Sequence, residues 1–366
     1  AKTTILRGVD VAWPVAQSDS MMDGLDYIPV AHSNMSSSLG SKVQLLALDK
    51  GDNPELSLCN FLPPITIVIQ VEANDVTISG FTITNAYTGI TGGENGTKII
   101  GNIIRVGNNG MSIGGSYKTI AYNNVTGGLH SILCSGSYNN ITKNNIIDPS
   151  NHGIDLTGSF NTVLGNKITS GQYGGNYGRG IQVNGNSNII TENILSGGSV
   201  GIALETGSGN TVFGNSVTEH WFMGIHLHDA THSIVYENYI ADNVGEHSGY
   251  GVSLSGRDYH AENNTFYHNV FVNNSYNVRV EAPYYVNYWD NGEEGNYWDD
   301  YTGIDNDGDG IGDSPHVLYE NNQDNYPLME PKAIPEFPSW IILPLFLMTA
   351  LFAVTLKKHI RYLSAT

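Results

Sequence analysis

Asn140-Ile141-Thr142-Lys143-Asn144-Asn145-Ile146-Ile147 decides the fold, because it returns as Thr162-Val163-Leu164-Gly165-Asn166-Lys167-Ile168-Thr169. Working outward, the marker asparagine recurs at Asn102, Asn123, Asn144, Asn166, Asn193, Asn215, Asn238 and Asn269, with Phe81 in its place one period earlier. The spacings are 21, 21, 21, 22, 27, 22, 23 and 31 residues. A short apolar alternation at this period, without a helical pattern, is one turn of a β-solenoid; it cannot bury its apolar face alone and must stack on its neighbours. Three places before the marker stand Ile78, Ile99, Ile120, Ile141, Val163, Ile190, Val212, Val235 and Phe266, and two places after it Ile83, Ile104, Val125, Ile146, Ile168, Leu195, Val217, Ile240 and Phe271. Both columns are expected to point inward. A second strand starts at a small residue (Gly89, Gly110, Ser131, Gly153, Gly180, Gly201, Gly224, Gly251, then Asn277), with inward residues one and three places on and the intervening ones outside. At the bend, the marker Asn tolerates left-handed backbone geometry and is able to hydrogen-bond to the Asn one coil away.

The chain is therefore expected to be all-β: a right-handed parallel β-helix of about nine to ten coils, followed by a C-terminal transmembrane helix. Residues 1–75 hold the first coil and a long insertion, since residues 3–8 match the strand before a marker and residues 66–69 the strand after a small residue. The stretch between them is a lid or an end-cap. Residues 76–286 are the repeats, 287–333 a cap with an acidic loop, and 334–366 a linker, membrane anchor and basic tail. Residues 340–356 are 17 positions without a charge, just long enough to cross a bilayer, and Lys357, Lys358, His359 and Arg361 behind them are expected to stay in the cytoplasm. The coils then face the outside, in a single-pass arrangement.

Composition agrees with an exposed solenoid. Only 14% of residues are charged, against roughly 25% in an average domain, so 40 Asn and 43 Gly must serve solubility and turns instead. With 16 basic and 35 acidic residues the formal charge is −19, which excludes nucleic acid as a partner because phosphate binding needs Lys and Arg. Cys59 and Cys134 make no disulfide framework, and Cys134 falls in an inward column as a small buried hydrophobe.

Two constellations carry chemistry. Asp305, Asp307, Asp309, the carbonyl of Ile311 and Asp313 stand at alternate positions of a calcium-type loop, with Gly310 at the sharp turn. His316 stands where a bidentate Glu is expected, so Asp300 or Asp324 would have to complete the shell. The second lies on the outward side of the second strand. Two places beyond the small residue come Ser112, Leu133, Asp155, Gln182, Ala203, His226, Ser253 and Arg279; four places beyond come Thr157, Asn184, Glu205, His228, Ser255 and Glu281. His152 and Arg179 share the place just before the small residue. The long insertions, including 172–179 and 242–250, all leave one connection and so mark one face. Glu205, His228 and Asp155 are the candidate catalytic groups, and His152, Arg179, Gln182, Asn184 and His226, walled by Tyr173, Tyr177, Trp221 and Tyr250, the candidate substrate contacts. A carboxylate beside imidazole among aromatic rings suits a sugar. For copper the ligands on offer are His130, His152, His226 and His228; the Met form no cluster and neither Cys has a metal spacing, so copper is not the expected cofactor.

Together with the Asn-marked coils, the runs Gly295-Asn296-Tyr297-Trp298-Asp299-Asp300-Tyr301, Asp305-Asn306-Asp307-Gly308-Asp309-Gly310-Ile311-Gly312-Asp313 and Asp324-Asn325-Tyr326-Pro327-Leu328-Met329 resemble the NosD-type parallel β-helix proteins of archaeal surfaces. The tail Pro335-Glu336-Phe337-Pro338-Ser339-Trp340 resembles a PEF-type C-terminal sorting signal or anchor. The resemblance implies an exported β-helix, the carbohydrate binding and sugar hydrolysis associated with the family, and copper delivery for its namesake. Six Asn-x-Ser/Thr sequons fit an external, glycosylated protein. The expected function is thus a surface-anchored β-helix that binds polysaccharide or cell-surface glycan, with processing by a hydrolase, lyase or epimerase step left open. The alternatives are a non-catalytic structural or adhesive protein and, behind it, copper handling.

Overall fold

The computed structural model describes residues 4–7, 43–45 and 67–332, apart from 172–177, 247, 258–260 and 283–284. No helix occurs among them; the chain coils as a parallel β-solenoid. The strands before each marker make one wall, a 10-stranded parallel sheet that runs from Thr4–Arg7 through Val76–Ser79, Asn140–Thr142 and Thr162–Leu164 to Thr265–Tyr267. Short strands after the markers, such as Asn145–Ile147 and Lys167–Thr169, and the longer ones after the small residues, such as His152–Thr157 and Arg179–Asn184, supply the other walls.

Register is held coil after coil. Ile141 pairs with Ile120 on one side and Val163 on the other, and Ile154 with Ile132 and Ile181. The inward columns read from the sequence are buried, most of them fully, with Gly92 and Val278 at the ends partly so, and each buried Ile or Val contributes roughly 1.5–3 kcal/mol. The small residue at the start of the second strand has a steric cause: a Cβ on Gly201 would lie 2.6 Å from the Gly224 carbonyl oxygen of the next coil and 2.4 Å from a Val217 methyl.

The marker asparagines form the expected ladder. From Asn123 onward each Oδ1 accepts from the backbone N–H and the amide of the Asn one coil earlier, as Asn144 does from Asn123 and Asn215 from Asn193. A second, unexpected ladder runs Asn139, Asn161, Asn188, Asn210. The left-handed residue is not the marker Asn but the one before it: Tyr122, Lys143, Glu192, Glu237 and His268 have φ of 53–56°, with glycine in the same place at Gly101, Gly165 and Gly214. The Asn side chain is spent on the ladder, so the turn falls to its neighbour.

The ends differ from the middle. Leu6 pairs with Ile78 in a parallel register, and of the long insertion after it the described part is Val43–Leu45, antiparallel to Ile67–Val71. At the other end the repeat runs past the boundary expected at residue 286. Asn296 continues the ladder from Asn269, Trp298 stacks on Phe271 at 4.2 Å and Trp289 on Phe266 at 4.3 Å, so the cap is built as a further coil with indoles in the inward columns. Asp324 ends the ladder, accepting from the Asn296 N–H at 2.7 Å and the Trp298 indole at 2.8 Å. The described residues belong to one compact unit. The expected membrane span 340–356 lies outside the described residues, among which no helix is long and apolar enough to cross a membrane.

Candidate functional site

The outward residues of five consecutive strands, Arg179–Asn184, Val200–Ser208, Met223–His228, Tyr250–Ser255 and Tyr276–Val280, share one face. The column two places beyond the small residue is in the expected register throughout: Asp155 opposite Gln182, Gln182 opposite Ala203, Ala203 opposite His226, His226 opposite Ser253, Ser253 opposite Arg279. The column four places beyond is broken once. Asn184 pairs with Thr206, not Glu205, because the strand Val200–Ser208 bulges at Glu205, between Leu204 and Thr206; a bulge adds one residue and re-aims its side chain.

The carboxylate of Glu205 contacts Arg179 and His226. Its Oε1 lies 2.6 Å from Arg179 Nη1 and 3.9 Å from His226 Nδ1. Ser255 joins the two imidazoles, its hydroxyl 2.8 Å from His226 Nε2 and 2.9 Å from His228 Nδ1, and His228 Nε2 stands 3.7 Å from Asp229. On the other side Arg179 donates to Gln182 Oε1, and Gln182 Nε2 donates to Asp155 Oδ1 at 3.2 Å. One polar chain thus runs from Asp155 to Asp229. Arg179, Glu205, Met223, His226, His228, Ser255, Gly256, Arg257, Arg279 and Glu281 line an open cleft of ≈ 450 Å³ along it. Burial, with the His228 ring and the Arg179 and Arg279 guanidiniums adding to it, pushes His226 down to about 3, so this imidazole is neutral at physiological pH.

Of the other sequence candidates, Asn184 does not line the cleft, although its strand supplies Arg179. Tyr250 flanks it, with the Arg279 guanidinium 5.7 Å from its ring centre; Trp221 packs at 5.7 Å on Phe222. Tyr173 and Tyr177 lie outside the described residues. Arg257 comes from the loop beyond the strand and carried no periodic signal, whereas Ser255, Arg279 and Glu281 stood in the outward columns without being chosen.

Asp155, His152 and His130 form a second cluster at the end of the chain of polar contacts, with one ligand atom from each all within 4.8 Å of one another. Burial holds His152 well below the usual histidine range. In the acidic loop, Asp305, Asp307 and Asp313 converge in the same sense. Asp309 turns away to accept from the Ile311 N–H at 2.8 Å. Neither proposed completing carboxylate faces this loop: Asp324 is fully buried at the ladder's end, and Asp300 stands 3.3 Å from His316 and accepts from Asn277.

The family model described as periplasmic copper-binding protein (NosD) matches residues 63–180 and 173–303. Comparison with curated proteins gave no match. Among solved structures the chain is similar to a tailspike protein of E. coli bacteriophage HK620, at 12% identity over 65% of this chain and 56% of that one, with a TM-score of 0.44. A second structure of that tailspike, in complex with a pentasaccharide, gives 12%, 64%, 55% and 0.43. The A-module of a mannuronan C-5 epimerase of Azotobacter vinelandii gives 11%, 58%, 73% and 0.38. The chain spans little more than half of the tailspike's length.

Proposed function

The chain belongs to the NosD family, and from that premise we propose that this β-helix works outside the cytoplasm as a polysaccharide-binding protein whose ligand lies along the cleft from Arg179 to Arg279. The observation that carries the reading is the convergence of Arg179, Glu205, His226, His228 and Arg279 on one open groove across five coils. At about 4.8 Å per coil the groove follows the axis for about 19 Å, a length that suits an extended chain of rings better than one small molecule. Guanidinium forks and carboxylates supply donors and acceptors for hydroxyl groups, and the Tyr250 ring offers an apolar wall beside them.

Two further parts complete the proposal. Asp305, Asp307 and Asp313 hold a calcium ion that stiffens the cap, because hard oxygen donors at alternate positions suit that ion. The apolar run 340–356 with its basic flank anchors the protein in the membrane, coils outward.

The test is a glycan array followed by a reducing-end release assay on the full chain, with and without calcium. Binding that falls by about tenfold or more in Arg279→Ala, a contact worth ~1.4 kcal/mol, supports the cleft. Release that disappears in Glu205→Gln makes the protein an enzyme at this site; binding without release makes it an adhesive or wall-associated module. No binding to any glycan overturns the reading.

A further inference from the structure

His130 and His152 occupy consecutive coils at one register, His130 opposite Asn109 on one side and opposite His152 on the other. Asp155, three places along the same strand as His152, brings its carboxylate between them. Nδ1 of both imidazoles and Oδ1 of Asn109 are buried without a hydrogen-bond partner, a rare state for native polar atoms and three times over in one column. The nearest approach, His130 Nδ1 to Asp155 Oδ2 at 3.4 Å, is too long for a good hydrogen bond. One ligand atom from each of His130, His152 and Asp155 lies within 4.8 Å of the other two.

We infer that His130, His152 and Asp155 bind one divalent first-row transition-metal ion. Two imidazole nitrogens with a carboxylate oxygen form a borderline donor set that prefers copper or zinc to calcium or magnesium, and Asn109, whose Oδ1 is buried without a partner, holds the register position next to His130. Outer contacts of the kind that orient ligands are in place: Gln182 donates to the other Asp155 oxygen at 3.2 Å, and the Asn151 side-chain amide lies 3.4 Å from His152 Nε2. Arg179, the next residue in the column, would oppose a cation, but its charge is met by Glu205 at 2.6 Å. The donor set fits the copper of the family's description, and Cu²⁺ has the highest affinity in the divalent series. The sequence offers His130 and His152 among four histidines but does not join both to Asp155, because the ligands are brought together by coil stacking and not by a short motif. This site stands apart from the cleft's ligand and from the acidic loop, so its test is independent of both.

The experiment titrates the metal-free full chain with copper sulfate and, separately, zinc sulfate by calorimetry, and records the copper electron paramagnetic resonance spectrum with ¹⁵N-histidine labelling. One equivalent of tight binding is expected, with couplings from two imidazole nitrogens, indifferent to excess calcium. His130→Asn and His152→Asn each weaken it by ~100-fold and remove one coupling, Asp155→Asn by ~10-fold, while His268→Asn changes nothing. Zinc binding with the same loss in the variants also supports the site. Couplings from fewer than two imidazoles in the wild type, which needs no variant to fold, or binding unchanged in both His variants, overturns it.

Discussion

Glu205 owes its partner to one extra residue in its strand. Strict period two would pair it with Asn184, but the bulge in Val200–Ser208 leaves it unpaired on that side, and its carboxylate reaches Arg179 and His226. His226 is the residue whose environment makes the sharpest prediction. Its pKa in the folded protein is about 3 against 6.5 for a free imidazole, so between those values the unfolded chain binds the proton and the native state does not. Stability therefore falls as pH drops from about 6.5 toward 3, by up to a few kcal/mol from this group, and is flat above that window. In His226→Gln the loss between pH 7 and pH 4.5, read from urea midpoints, becomes smaller; an identical pH profile would show that the ring is not held neutral. At this scale the site was legible wherever the coils keep step. Asp155, Gln182, His226 and Arg279 stand as the columns dictate, whereas a bulge and a loop residue such as Arg257 leave no mark in a periodic pattern. The His130–His152–Asp155 cluster was half visible, two of its members in the chosen columns and His130 one coil before.

The coil's turn is the element that explains the sequence best. Five described coils put Tyr, Lys, Glu or His in left-handed geometry next to the marker Asn, where others use Gly. A side chain there costs roughly 1–2 kcal/mol, partly offset by the greater unfolded freedom of Gly. Glu192 is exposed with φ 54°, so Glu192→Gly is expected to stabilise the protein by ~0.5–1 kcal/mol, seen as a higher melting temperature. Asn193 beside it is the opposite case. Its Oδ1 accepts from Asn166 at 2.9 and 3.0 Å, and its amide donates to the Val163 carbonyl and to Asn215, both at 2.9 Å. Asn193→Ala strips these from a fully buried position and is expected to cost ~3–5 kcal/mol; a change below 1 kcal/mol would mean the ladder is ornamental. The recurrence of Asn made the fold readable, since every coil must solve the same burial problem. Which residue takes the turn was misread, because Asn suits both tasks and only one is left for it.

A solenoid is open at both ends, and the molecule's last device is the one that closes the C-terminal end. Trp289 and Trp298 seal the final coil, and the acidic loop is sewn to it: Asp313 N–H bonds to the Ile304 carbonyl at 2.8 Å, Gly312 to Pro327 at 2.8 Å, Met329 to Gly310 at 3.0 Å, and Leu328 to Asn296, the ladder's last Asn, at 2.9 Å. The chain carries a net charge of −19, and three carboxylates converging on one exposed loop add repulsion where the fold is least supported. An ion that binds only the native loop stabilises by mass action, about 2.7 kcal/mol at a concentration 100 times its dissociation constant, which is a rise of ~5 °C in a protein of this size. Because each coil touches only its neighbours, that gain is expected to appear first at the cap. Calcium should slow amide exchange at Trp298 and Leu328 while leaving Ile141 unchanged, and EDTA should return the melt to its calcium-free position. Asp305→Asn together with Asp307→Asn should make the melt indifferent to calcium; a wild-type melt that calcium does not move would remove the ion from the cap and leave the indoles to close the coil alone.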